Sequence, residues 1–108
     1  MDQLKTFHPT GIFDNIKVLE FRDDLLKCVT DGGAKRILLD FSGITFMDSA
    51  GLGSLVLLLK TVRAHGCKMC LCNVNQQITM LFELTNMDSI FEIFESENEF
   101  LEAYQTPQ

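Results

Sequence analysis

Arg36–Gly53 reads RILLDFSGITFMDSAGLG, and this stretch decides the architecture. Its first half, Arg36 to Phe41, is a continuous apolar run ending in turn formers, the pattern of a central parallel strand covered on both faces. Ser42-Gly43 turns the chain into the brief Ile44-Thr45-Phe46 segment. Asp48 and Ser49 are then two good helix-capping residues ahead of an apolar stretch from Leu52 to about His65-Gly66. The order is strand, short loop, helix, with Ser49 near the helix amino terminus.

Working outward, the same alternation continues on both sides. From about Ile16 to Thr30, Val18, Phe21, Leu25, Cys28 and Val29 recur at helical spacing, and Gly32-Gly33 supplies a stop. Before that helix, Lys5 to His8 is a short strand stopped by Pro9-Thr10-Gly11, with Ile12-Phe13 continuing the sheet. Downstream, Lys68 to Val74 reads as a strand, Asn75 caps a short helix carrying Ile78, Leu81, Phe82 and Leu84, and Ile90 to Phe94 is a further strand. Ser96-Glu97-Asn98-Glu99 fits the S-x-x-E capping box before a closing helix with Phe100, Leu101 and Tyr104. An α/β fold follows: a mixed, mostly parallel sheet of four to five strands with about four helices packed on it.

No repeat, low-complexity tract or linker divides the chain, so residues 1–108 are read as one domain. The net charge of −6 and a pI near 4.7 argue against nucleic acid or anionic membrane as partner, because the nine basic residues are scattered. No apolar run approaches the length of a bilayer span, and Met1 to Lys5 lacks the basic start and apolar block of a secretory signal. A cytoplasmic protein with four reduced cysteines is expected, binding proteins or small molecules.

Chemistry concentrates in Phe46 to Gly53. Gly51 and Gly53 each cost a helix about 1 kcal/mol against Ala. They serve either close approach of a partner surface to Ser49 or tight packing of the helix on the sheet. Enzyme templates fit poorly. A nucleophile elbow needs G-x-S-x-G, and Met47 stands two residues before Ser49. The two histidines are His8, at the end of the first strand, and His65, at the far end of the Ser49 helix. Gly51-x-Gly53 is half of a dinucleotide fingerprint, but Val56 replaces the third glycine. Cys67-x-x-Cys70 has zinc-like spacing, yet the only nearby addition is Cys72, and on a strand Cys70 and Cys72 share one face while Cys67 points elsewhere. No catalytic residue, metal site or cofactor is therefore assigned, and the acidic residues Glu92 to Glu102 are read as a solvated face.

The segment MDSAGLG, with the Gly11-Ile12-Phe13-Asp14 approach to the first helix and the RILLDFSGITF run before it, resembles the STAS domain of bacterial anti-sigma factor antagonists over nearly the whole chain. The resemblance implies a single STAS-like domain that binds and does not catalyse. It also implies that Ser49 is a phosphoacceptor for a partner that is both anti-sigma factor and serine protein kinase. Only the unphosphorylated form would bind that partner, and a PP2C-type serine phosphatase would reverse the modification. Carried over residue by residue, the partner-binding set is Asp14, Asp48, Ser49, Ala50, Gly51, Leu52 and Gly53. The chain departs from the family, whose members usually open with two full strands, in placing only about a dozen residues before Asp14, so one sheet edge is expected to be shortened or unusually exposed. A second implication is a constitutive STAS subunit docked on a membrane transporter, and a third is a nucleotide- or lipid-sensing module; the oligomeric state is left open.

Overall fold

The computed structural model describes residues 4–105; the outer residues of the 1–108 domain assignment lie outside that range. The elements in chain order are β1 (Leu4–Phe7), β2 (Thr10–Phe13), α1 (Asn15–Thr30), β3 (Arg36–Asp40), β4 (Gly43–Met47), α2 (Ser49–Ala64), β5 (Lys68–Cys72), α3 (Gln76–Leu84), β6 (Glu92–Phe94) and α4 (Glu97–Gln105). Four strands form one sheet in the order β1-β3-β5-β6, and β2 and β4 form a second. Every pairing among the described residues is parallel.

The α/β architecture with a mostly parallel sheet and four helices is as expected, but the strands number six. The added strands arise because two strands bend together. The chain runs from β1 through His8-Pro9 into β2, and from β3 through Phe41-Ser42 into β4. Pro9 has no N–H to give a ladder, so pairing breaks there. Beyond the bend β2 pairs with β4, with a register shift between Gly11 and Ile12. Ile12-Phe13 thus continues into a separate small sheet. The short opening still holds two four-residue strands, and β1 lies at the edge of the larger sheet. At β5 the strand stops at Cys72, before the expected Val74, because Asn73 turns into the left-handed region at φ 56°.

The reading of Arg36–Phe41 as a doubly covered strand holds. Ile37 and Leu39 join the main core with Leu25, Leu55, Leu59, Val62 and Phe82 from α1, α2 and α3. Leu38, between them, faces the other way into a smaller cluster with Cys70, Cys72 and Phe100, where α4 covers the sheet. The α4 start follows its sequence signature in the serine cap, while the returning glutamate bonds one residue before the cap. Ser96 Oγ accepts from Glu99 N–H at 3.1 Å, and the Glu99 carboxylate reaches back to Glu95 N–H at 2.7 Å.

The cysteines separate as the strand period requires. Cys67 packs in the main core and donates to Ala34 O at 3.1 Å, whereas Cys70 and Cys72 lie in the α4 cluster. Burial, aided by Glu92, pushes the Cys70 thiol up to about 11; burial, aided by Asp40 and Glu97, pushes Cys72 up to about 12. Thiolate is the reactive species, so both should be inert near neutral pH. Half-buried Cys28 should react first with a thiol reagent, and Cys67, Cys70 and Cys72 only after denaturation. Stopped labelling with mass analysis checks the order; rapid labelling of Cys70 in folded protein would contradict it.

Candidate functional site

Two helix starts meet at one end of the small sheet. Phe13 and Met47 are the last paired residues of β2 and β4, and because the strands are parallel, Asp14 and Asp48 follow side by side. Each caps the helix it precedes. Asp14 accepts from Lys17 N–H at 2.9 Å, and Asp48 accepts from Gly51 N–H at 2.7 Å. Of the two capping candidates in Asp48-Ser49, Asp48 is therefore the cap, and Ser49 occupies the first helical position.

That placement exposes the hydroxyl. Asp48, Ser49 and Ala50 are all exposed, and Asp14 is half-buried. The first bond of the α2 ladder is Leu52 N–H to Asp48 O at 3.0 Å, so the N–H groups of Ser49 and Ala50 precede it. An anion on Ser49 would meet these N–H groups and the positive end of the helix dipole.

The two glycines behave oppositely. Gly51 is buried, and a Cβ built on it would lie 2.0 Å from Phe13 O and 3.1 Å from Asp14 Cα. Its role is the close crossing of α2 over the end of β2. A Cβ on Gly53 would meet nothing within 4 Å, and this glycine is exposed. Leu52 is 6% exposed and turns into the core, with an edge on an apolar groove shared with Ser49, Gly53, Val56, Leu57 and Met87. Thus Asp48, Ser49, Ala50 and Gly53 are exposed at this helix start, while Gly51 and Leu52 are buried beneath it.

Gln77 is a positioning residue that sequence reading missed. From the first turn of α3 its side-chain amide accepts from Met47 N–H and donates to Met47 O, both at 2.9 Å. Asn75 adds weaker bonds to Ile44 O and Thr45 O while capping α3 through Ile78 N–H at 3.0 Å. Two side chains thus occupy the free edge of β4, the residues just before Asp48. The only sequence signal is an amide pair at an α3 start, which ordinary capping already explains. Gln77→Ala should cost about 1–2 kcal/mol, because it strips the side-chain partners from the part-buried N–H and C=O of Met47. Denaturant unfolding checks this, with Gln77→Glu, which keeps the acceptor and loses the donor, expected to fall between.

The serine has no histidine partner. His65 caps the far end of α2, sixteen residues and about 24 Å of helix away. His8 pairs instead with Asp40, at 3.5 Å, and β4 separates Asp40 from Asp48 by roughly 16 Å of strand.

Comparison with known proteins bears on the family and the fold. The STAS domain family model matches residues 2–100. The chain is 32% identical over 83 residues to the anti-sigma-B factor antagonist of Bacillus subtilis, covering 77% of this chain and 74% of that one. It is 34% identical over 73 residues to the TM1081 homolog of Thermotoga neapolitana, covering 68% of this chain and 65% of the relative's length, just under two thirds. Among solved structures, SpoIIAA in its unphosphorylated form superposes with a TM-score of 0.74 at 18% identity, over 99% of this chain and 94% of that one. A sulfate transporter family protein of Wolinella succinogenes superposes with a TM-score of 0.78 at 13% identity, over 95% and 85% of the two chains. At these identities the two superpositions speak for the fold alone.

Proposed function

The chain belongs to the STAS domain family, and on that premise we propose that it is a partner-switching protein of the anti-sigma factor antagonist kind, with Ser49 as its phosphoacceptor. The observation that carries the reading is the exposed Ser49 hydroxyl at the first position of α2, beside a cap supplied by Asp48 and not by itself. A serine that capped its own helix would have its oxygen committed to a backbone N–H. This one is free of that duty, so phosphorylation leaves the cap intact.

The unphosphorylated form binds an anti-sigma factor that is also a serine kinase, through Asp48, Ser49, Ala50 and Gly53. Asp14, Gly51 and Leu52 set the geometry from below. Phosphorylation adds roughly −1.5 to −2 charges beside the Asp48 carboxylate. Its own helix accommodates the anion, so the effect falls on the docking partner, by bulk and by like charge. A PP2C-type phosphatase reverses it. No catalytic step by this chain is required.

The transporter-subunit alternative draws on fold likeness, whereas the relatives above 30% identity cited here bear on antagonists. Incubation with ATP and extract of the native cell, followed by peptide mass analysis, tests the reading. Phosphate is expected on Ser49 and absent from Ser49→Ala; a chain that stays unmodified while remaining bound to a membrane fraction would favour the alternative.

A further inference from the structure

Outside the Ser49 region, one imidazole and two carboxylates converge at the carboxyl ends of the larger sheet's strands. His8 follows β1, Asp40 ends β3, and Glu97 lies in the first turn of α4. One ligand atom from each lies within 4.8 Å of the other two. In parallel sheets this end is where ligands gather. Two carboxylates face one imidazole, so even a protonated His8 leaves negative charge uncompensated.

Asp40 is the anchor. It is 8% exposed, the one buried charged residue among those described. Its Oδ1 accepts from Ser42 N–H at 3.0 Å and from Asn73 Nδ2 at 2.9 Å, where Asn73 holds its left-handed conformation. Both donors fall on one oxygen, so Oδ2 is turned to His8 Nε2 at 3.5 Å. Hydrogen bonds that fix the far side of a carboxylate are the support metal ligands normally receive. The 3.5 Å between His8 and Asp40 fits as well, and a Glu97 oxygen lies within 4.8 Å of both. Tetrahedral ligands with bonds of about 2.0–2.1 Å stand roughly 3.4 Å apart.

We propose that His8, Asp40 and Glu97 form a binding site for a zinc-type divalent cation, with His8 Nε2, Asp40 Oδ2 and a Glu97 oxygen as ligands and the remaining positions open to water. One imidazole and two carboxylates suit a late first-row ion better than magnesium, which favours oxygen ligands alone. The His8 side chain is 60% exposed, so the ring can rotate onto an ion without unpacking the core. Because Glu97 belongs to α4, the ion would tie that helix to the β1 edge. Cys72 is paired with Asp40 across β3 and β5 and lies beside this cluster, whereas Cys67 packs in the main core; the site does not depend on the Ser49 reading.

The test is titration of the reduced full chain with Co2+, competed by Zn2+ and by Mg2+. One Co2+ per chain is expected, with the weak visible bands of nitrogen and oxygen coordination and displacement by Zn2+ but not by equal Mg2+. His8→Ala and Glu97→Gln should each weaken binding about tenfold or more, and His65→Ala should leave it unchanged. Zn2+ should also raise the Tm of the wild type and not of His8→Ala. Both variants alter solvent-accessible side chains, and circular dichroism verifies their folding. Affinity untouched by His8→Ala, intense thiolate-to-metal absorption, or failure to saturate at one ion per chain would each overturn the assignment.

Discussion

Gly51→Ala is expected to destabilise the chain by about 3 kcal/mol or more, while Gly53→Ala, two residues along the same helix, should stabilise it by roughly 0.5–1 kcal/mol. The opposite signs follow from what each new methyl would meet. At position 51 it would sit 2.0 Å from a backbone oxygen of Phe13, which no rotamer change can move. Either α2 lifts off the small sheet or β2 shifts, and both disturb Phe13, which is fully buried and lies 5.0 Å ring to ring from Phe41. At position 53 the methyl meets nothing, and the gain is the usual advantage of Ala over Gly in a helix. Denaturant midpoints of the two variants check the pair. Equal stabilities would mean that the close crossing of α2 over β2 is not a constraint.

Ser49→Asp is expected to keep wild-type stability and lose its partner. A carboxylate at the first helical position sits favourably in the helix dipole, by about 0.3–1 kcal/mol, so unfolding should be unchanged or slightly harder. Binding to an anti-sigma factor kinase should fall tenfold or more, about 1.4 kcal/mol. The new charge stands beside exposed Asp48 at the centre of the proposed contact. Ser49→Ala should bind like the wild type and resist inactivation by ATP. Calorimetric titration of the three forms with the purified kinase separates the outcomes. If Ser49→Asp bound as tightly as wild type, local charge blockade would be excluded.

The two substitutions probe different layers of one segment. Gly51 sets how closely the helix start approaches β2, and Ser49 is the proposed determinant of what docks there. A Gly51→Ala variant that lost binding would be explained by misplacement, with its instability as the sign. A stable Ser49→Asp variant that lost binding would be explained only at the surface.

Much of this was legible in the sequence because it depends on short-range pattern. The apolar run Arg36–Phe41 specified a strand covered on both sides, the helical spacing of Val18, Leu25 and Val29 specified α1, and the S-x-x-E box at Ser96 to Glu99 specified the start of α4. MDSAGLG marked the helix start that carries Ser49. Tertiary structure alone decided what depends on residues distant in the chain. It chose between the two meanings offered for the glycines, giving Gly51 to the Phe13 carbonyl and leaving Gly53 open. It split one sheet into two at Pro9 and Phe41-Ser42, set Gln77 against Met47 thirty residues away, and gathered His8, Asp40 and Glu97. Periodicity encodes which face of an element is apolar, because that is a property of neighbours along the chain. Which backbone atom lies across that face is fixed only when the elements pack.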